Sequence, residues 1–165
     1  MHIGFWRKFN KALENQLIEA NASGKWKFKP FPRRYRKDWE KSYIVPHVPE
    51  EITTAMLAFA FGQNTLESGY KLMWGVYWTA SPKPGFDHPT LTTIHSILVA
   101  HNISNLSSPK WIRWGDYPLT LLDADFLARM NNEPDQLVGK VVEDIWQLFS
   151  DLRPYMEEVN AATET

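Results

Sequence analysis

Three of the five histidines, His88, His95 and His101, fall within one short stretch and are candidates for metal binding or acid–base chemistry. His88 and His95 are seven residues apart, which in a helix is two turns or roughly 10 Å. Histidines that bind one metal from a helix are usually about four residues apart, as in HExxH. A metal site is therefore not expected, and His95 is interpreted as a partly buried polar residue.

One carboxylate, Asp116, has aromatic neighbours on both sides and could have unusual chemistry. General acid–base catalysis would require His95 or His101 to meet Asp116 or another carboxylate from a distant segment. Residue spacing alone does not bring such groups together. An enzyme is therefore the least favoured of three functional hypotheses.

The usual motifs of catalysis and cofactor binding are missing from the sequence. There is no cysteine, which excludes disulfides and thiolate metal sites. There is no GxSxG nucleophile elbow, no phosphate-binding GxxxxGKS/T loop and no dinucleotide-binding GxGxxG turn. We therefore expect no catalytic residues, no cofactor and no bound metal.

Residues 24–41, the basic-aromatic segment, combine many cations with aromatic rings. Cations can neutralise phosphates, and rings can stack on unpaired bases, so this composition is typical of nucleic-acid binding. The predicted nucleic-acid-binding residues are Lys25, Lys27, Lys29, Arg33, Arg34, Tyr35, Arg36 and Lys37. A half-buried edge strand over residues 25–29, with Trp26 and Phe28 facing inward, explains part of the same pattern.

Residues 1–41 and 42–165 carry opposite net charges. The first part holds 11 Lys and Arg against four acids, a net charge of +7, and the second holds seven against 15, a net charge of −8. This asymmetry predicts either contact between the two parts or a charged partner. An acidic, aromatic surface can steer and anchor a basic protein. The predicted partner-binding residues are Trp39, Trp111, Trp114, Asp116 and Tyr117.

Hydrophobic periodicity predicts the elements of the N-terminal half. Apolar residues at three- and four-residue steps indicate a helix over residues 3–20. Strands are expected over residues 42–48, where Pro46 favours a sheet edge, and over residues 52–62. The alternation in residues 70–80 is the clearest strand pattern. It places Tyr70, Leu72, Trp74, Val76 and Trp78 on one face, which should be covered by the C-terminal helix.

The C-terminal half is predicted to be mainly helical. Asp87 is expected to cap a helix that ends near His101, and a strand is expected over residues 110–114. A short helix should follow Asp123. A long helix should run from Pro134 to about residue 162, with Pro154 ending or kinking it. Its predicted core positions are Leu137, Val141, Ile145, Leu148, Phe149 and Leu152.

The predicted fold is a single α+β domain over residues 1–165, with residues 24–41 as an arm or loop within it. A small antiparallel sheet of about four strands is covered on one face by helices, in the order α-β-β-β-α-β-α-α. No apolar run approaches the roughly 18 residues of a membrane span, and charges interrupt the N-terminus. No membrane association is expected, and the predicted location is cytoplasmic.

The predicted function is a non-enzymatic protein–protein interaction module of the inhibitor, immunity or accessory type, with a protein partner of unknown identity. This prediction depends on the missing catalytic motifs and on the divided charge. The alternative is a nucleic-acid-binding domain that uses residues 25–41.

Overall fold

The structure is a computed structural model, and it describes residues 2–20, 24–29, 40–46, 55–63, 71–106, 110–121 and 123–163. For residues 2–3 and 40–46 only the backbone is described. The elements, in chain order, are α1 His2–Glu19, β1 Trp26–Lys29, β2 Glu40–Pro46, β3 Leu57–Gln63, β4 Lys71–Trp78, α2 Thr90–Ala100, β5 Trp111–Thr120, α3 Ala124–Asn132 and α4 Pro134–Thr163.

The five strands form one antiparallel sheet in the order β1-β2-β3-β4-β5, so each strand pairs with its neighbour in the chain. Contacts of the four helices lie on one face of this sheet, which we call the inner face; the opposite face is the outer face. The predicted α+β class, with helices on one face of an antiparallel sheet, is confirmed. The sheet has five strands because the edge strand considered over residues 25–29 forms as β1.

The inner face of β4 contains the apolar side chains that the alternation predicted. Leu72, Trp74, Val76 and Trp78 are all buried in the core, whereas Tyr70 lies outside the described residues. The ring of Trp74 packs edge-on against Tyr117, at 5.0 Å between centroids. The predicted core positions of α4 are also buried. Its Phe149 contacts Trp26 of β1 and Phe59 of β3, so α4 covers the β1–β3 side of the sheet.

The prediction that Pro46 places its strand at a sheet edge is wrong, because β2 lies between β1 and β3. Pro46 is the last residue of β2, and the register of β2 with β3 would place it opposite Leu57. Proline has no N–H to donate there. The side chain of Asn160 in α4 bonds to Leu57 instead, accepting from its N–H at 2.6 Å and donating to its carbonyl at 3.2 Å.

One further local prediction is wrong, and for another the structure excludes one of two alternatives. Asp87 does not cap α2, because the helix begins at Thr90 and the Thr90 N–H donates to His88 Nδ1 at 3.2 Å. Pro154 does not end α4, which continues to Thr163. Packing of its apolar residues on both sides of Pro154, including buried Met156 and Val159, supports the helix beyond the proline.

A β-bulge in β5 sets the direction of its side chains. Val76 pairs with Arg113 and Tyr77 pairs with Trp111, so Ile112 is the extra residue of the bulge. Gly75 lies beside it, and a Cβ atom there would collide with the carbonyl oxygen of Arg113. Close approach of β5 to β4 therefore requires glycine at this position.

Among the described residues, no helix combines the length and apolar character that a membrane crossing needs.

Candidate functional site

β5 is an edge strand that presents different residues on its two faces. By its register with β4, Trp111, Trp114 and Asp116 lie opposite Tyr77, Gly75 and Met73 on the outer face. Arg113 and Gly115 lie opposite Val76 and Trp74 on the inner face. The predicted partner-binding residues are therefore divided, because Tyr117 also packs in the inner core with Phe61 and Trp74.

The outer face of β5 combines two indole rings with a carboxylate. Trp111 and Trp114 are each half-buried, and the Trp111 ring lies 5.5 Å from the ring of Tyr77. Asp116 is exposed, with its carboxylate 3.9 Å from Lys71 Nζ. An exposed ion pair of this length contributes little to stability, so Asp116 keeps most of its charge available to solvent.

The free edge of β5 is partly closed by the segment before it. The backbone N–H of Asn105 donates to the Trp114 carbonyl at 2.9 Å, and Trp114 donates back at 3.1 Å. The next residue, Leu106, is 66% exposed. We call Trp111, Trp114 and Asp116, which share the outer face of β5, the β5 patch.

Tyr117 is a core residue and contributes packing. It is 6% exposed, and its hydroxyl donates to Asp144 in α4 at 2.7 Å. Burial, followed by the bond to Asp144 and its negative charge, raises the pKa of Tyr117 well above its usual range. Lys140 binds the other oxygen of Asp144 at 2.6 Å. The phenol therefore stays protonated and joins β5 to α4.

Arg113, on the inner face, forms a cluster with α2. Its Nε donates to His95 Nδ1 at 3.0 Å, and its Nη1 donates to the carbonyl of Ser104 at 2.8 Å. Burial, and secondly the positive charge of Arg113, lower the pKa of His95. This cluster lines a groove of about 500 Å³, which we call the α2–β5 groove. Its lining residues are Thr92, His95, Ser96, Val99, Ala100 and Arg113.

The described residues do not assemble the catalytic groups considered from the sequence. His95 contacts Arg113 and not a carboxylate, and Asp116 lies on the other face of the sheet. His101 Nδ1 lies 3.0 Å from the carbonyl of Ile97, one helical turn earlier. Within the described ranges there is no group of three His, Asp or Glu side chains able to hold a metal ion.

Buried and exposed side chains alternate along the described part of the basic-aromatic segment, as expected for an edge strand. Trp26 and Phe28 are buried, whereas Lys27 and Lys29 are exposed, as is Lys25 just before the strand. The Trp26 indole N–H donates to Glu157 at 2.8 Å. The remaining predicted nucleic-acid-binding residues, Arg33, Arg34, Tyr35, Arg36 and Lys37, lie outside the described residues, as does the predicted partner-binding residue Trp39.

Some of the divided charge is paired within the fold. Lys8 in α1 forms an ion pair with Asp135 in α4, at 2.7 Å. Glu157 in α4 accepts bonds from Trp26 and Arg153 and feels the charge of Lys25. Burial alone would raise the pKa of Glu157, but these bonds and charges outweigh it and hold the pKa below its usual value. Contact between the two parts thus accounts for a share of the asymmetry.

The Arg113–His95 cluster is the part of the candidate site that sequence reasoning missed. The sequence placed His95 in a helix as a partly buried polar residue and Arg113 in a short strand, but nothing in their spacing indicated that they meet.

Comparisons with known proteins provide no relative for this chain: no protein-family model, no curated protein and no solved structure matches it.

Proposed function

We propose that this protein is a non-enzymatic protein–protein interaction module that docks a partner on the β5 patch. The observation that carries the proposal is the pair of half-exposed tryptophans beside an exposed aspartate on one face of an edge strand. Tryptophan is enriched among residues that dominate binding energy at protein interfaces. Half-exposed rings can bury the rest of their surface against a partner at little cost in side-chain entropy.

The charge of the patch indicates the chemistry of the partner. Asp116 supplies an exposed carboxylate on the same face of β5 as Trp114. A complementary partner surface would present a Lys or Arg for Asp116 and an apolar pocket for the rings. A basic protein that is bound by an inhibitor, immunity or accessory protein would have such a surface. Trp39 of the present chain remains a predicted contact residue.

The test identifies a partner and then asks whether the β5 patch holds it. Proteins captured from the native host by cross-linking to the wild-type chain are identified by mass spectrometry. The strongest stoichiometric candidate is then purified and its affinity measured by calorimetry. Trp114→Ala and Asp116→Lys should each weaken binding at least about tenfold, as interface hot spots do. Trp146→Ala is the matched control, because Trp146 is a half-buried tryptophan on α4.

Asp116→Lys should remain folded, because reversing the charge of an exposed side chain leaves the core intact. Weaker binding by this variant would therefore not be a consequence of unfolding. Melting temperatures of all variants are measured in parallel. Equal affinities of wild type, Trp114→Ala and Asp116→Lys for the purified partner would refute docking at the patch. Failure to capture any stoichiometric protein under several conditions would refute the interaction module itself.

A second candidate, nucleic-acid binding, is favoured by the cations of the outer face. Lys27 and Lys29 on β1 are exposed opposite the buried side chains of that strand. Lys71 on β4 lies on the same face as Trp111 and Trp114, by the register of β4 and β5. Cations that contact phosphates, together with rings that stack on bases, are the usual elements of single-strand recognition.

This candidate predicts a salt-dependent affinity. Binding of labelled single-stranded RNA and DNA is measured by fluorescence anisotropy over a range of salt concentrations. Lys29→Gln should reduce the slope of log affinity against log salt by about 0.7, because one phosphate contact is lost. Lys83→Gln, an exposed lysine in the loop before α2, should leave the slope unchanged. No binding at low salt, or a slope that Lys29→Gln does not alter, would eliminate this function.

A further inference from the structure

We propose that the α2–β5 groove binds the phosphate group of a small phosphorylated ligand, with Arg113 as the main anion-binding residue and His95 and Thr92 as additional donors. This site lies on the inner side of the sheet edge, whereas the β5 patch lies on the outer side. The inference is therefore independent of the proposed function.

Arg113 is held in place before any ligand binds. Its Nε bonds to His95 of α2 and its Nη1 to the carbonyl of Ser104, so both ends of the guanidinium are fixed. The bulge at Ile112 and the close approach at Gly75 fix the backbone that carries it. A positioned cation binds an anion more tightly than a mobile one because less side-chain entropy is lost.

The described residues around Arg113 do not neutralise its charge. Within the described ranges, no carboxylate lies within ion-pair distance of its guanidinium; the ion pairs found there involve Lys8, Lys71, Lys140 and Arg153. Its two bonds go to a neutral ring nitrogen and a main-chain carbonyl. A guanidinium carries five N–H groups, so three remain for a ligand.

His95 adds a donor to the same groove. Its Nδ1 accepts from Arg113, so in the neutral ring the proton is on Nε2. Arg113 is the charged group that acts on His95 among the described residues. The ring thus remains neutral near pH 7 and lines the groove as a donor beside the cation.

The number of donors favours phosphate over carboxylate. The three N–H groups of Arg113, the Nε2–H of His95 and the Thr92 hydroxyl total five, whereas a carboxylate offers about four acceptor positions. Ser96 contributes no donor, since its hydroxyl already donates to the Thr92 carbonyl at 3.0 Å. Val99 and Ala100 form an apolar wall. A groove of about 500 Å³ has room for a small organic group attached to the phosphate.

The experiment titrates the full chain with inorganic phosphate, glycerol phosphate and acetate at constant ionic strength. Binding is followed by NMR of the Arg113 Nε–H and the His95 ring, and by calorimetry. Wild type should show saturable shifts with inorganic phosphate, and tighter binding of glycerol phosphate would identify a phosphomonoester as the ligand class. Arg113→Gln should weaken binding at least about tenfold, because a charge-assisted contact is lost.

Two further variants serve as a matched control outside the groove and as a second test within it. Arg7→Gln makes the same change at an exposed arginine of α1, outside the groove, and should bind as wild type does. Thr92→Val alters an exposed residue that the core does not need, and should weaken binding severalfold even if Arg113→Gln folds poorly. Non-saturable shifts, shifts that persist unchanged in both groove variants, or acetate binding as tightly as phosphate would overturn the assignment.

Discussion

Tyr117 joins the edge strand to the longest helix through a single hydroxyl. In Tyr117→Phe the ring keeps its packing against Phe61 and Trp74, but Asp144 loses the bond from the hydroxyl. We expect the free energy of unfolding to fall by about 1 kcal/mol, since Lys140 still binds the carboxylate. Urea denaturation of both proteins measures the difference.

Tyr155→Phe is the matched control for this substitution. Tyr155 is a partly buried tyrosine of α4 that packs against the same core. Removal of its hydroxyl should leave the unfolding midpoint almost unchanged. Equal losses in Tyr117→Phe and Tyr155→Phe would show that the Tyr117–Asp144 bond contributes nothing specific.

His95 gives the protein a predictable response to acid. Because its folded-state pKa is lowered, the unfolded chain binds the proton more readily than the folded one. The stability that neutral His95 contributes is therefore complete above the unfolded pKa of 6.5 and is lost as pH falls through the lower folded value. In His95→Asn the amide oxygen can still accept a hydrogen bond from Arg113. Because asparagine does not titrate, the loss of stability at acid pH should be abolished.

Unfolding free energies measured from about pH 7.5 to about pH 5 test this response. The stability of wild type relative to His95→Asn should decline toward the acid end. His101→Asn controls for removal of another half-buried imidazole of the same segment. Parallel pH profiles of wild type and His95→Asn would contradict the linkage between His95 and folding.

At the level of single residues, the sequence identified candidates but could not pair them. Trp111, Trp114 and Asp116 were predicted as a group and do lie on one face of β5. Tyr117 was placed with them because it is adjacent in the chain, yet alternation turns it into the core. The bond from Arg113 to His95 joins residues 18 positions apart, and no local pattern in the sequence indicates it.

Asn160 of α4 forms hydrogen bonds with the backbone of Leu57 in β3, at the position where Pro46 of β2 has no N–H to donate. Asn160→Ala would leave the N–H and carbonyl of Leu57 buried without their partner. Each of these two buried unsatisfied groups costs about 1–3 kcal/mol, so we expect a loss of about 2–6 kcal/mol. The measurement is chemical denaturation, with Asn131→Ala at an exposed position of α3 as the control. A loss in Asn160→Ala no greater than in the control would disprove the role of this amide.

Among the elements, long periodic segments were predictable and their ends were not. The alternation of Leu72, Trp74 and Val76 predicted both the strand and its buried face, because burial on one side of a sheet imposes a period of two. Pro46 misled the prediction because a proline at the end of a strand removes only one bond, and Asn160 replaces it. The start of α2 was misplaced because the helix begins at Thr90, whose N–H bonds to the ring of His88.

For the molecule as a whole, the inner face of β4 is part of the buried core, and an unpaired charge there should be destabilising. Val76 is 0% exposed, and aspartate there would bury a carboxylate without a partner. Val76→Asp should abolish the cooperative unfolding transition in a thermal melt followed by circular dichroism. Trp74→Ala should still fold, with a loss of about 3–5 kcal/mol.

Val99→Asp makes the same chemical change at a valine that is 46% exposed, and should melt close to wild type. A native-like transition in Val76→Asp would show that the face assigned to the core is accessible to water. The architecture inferred from the alternation would then be incorrect.

The composition of the whole chain also had predictive value. The divided charge predicted contact between the two parts as one alternative, and the ion pair of Lys8 with Asp135 is such a contact. The share of that charge which is paired within the fold could not be predicted, because pairing depends on how α1 and β1 pack against α4.

The position of α4 in the chain has a consequence for how the protein is made on the ribosome. The bonds from Trp26 to Glu157 and from Leu57 to Asn160 join residues 131 and 103 positions apart. Adjacent strands can pair as soon as they are translated, but the helix that covers Trp26 and Phe59 is translated after all five strands. During that interval the nascent sheet displays an aromatic surface, and such surfaces bind chaperones or aggregate. We expect the yield of folded protein to depend on how quickly residues 134–163 emerge.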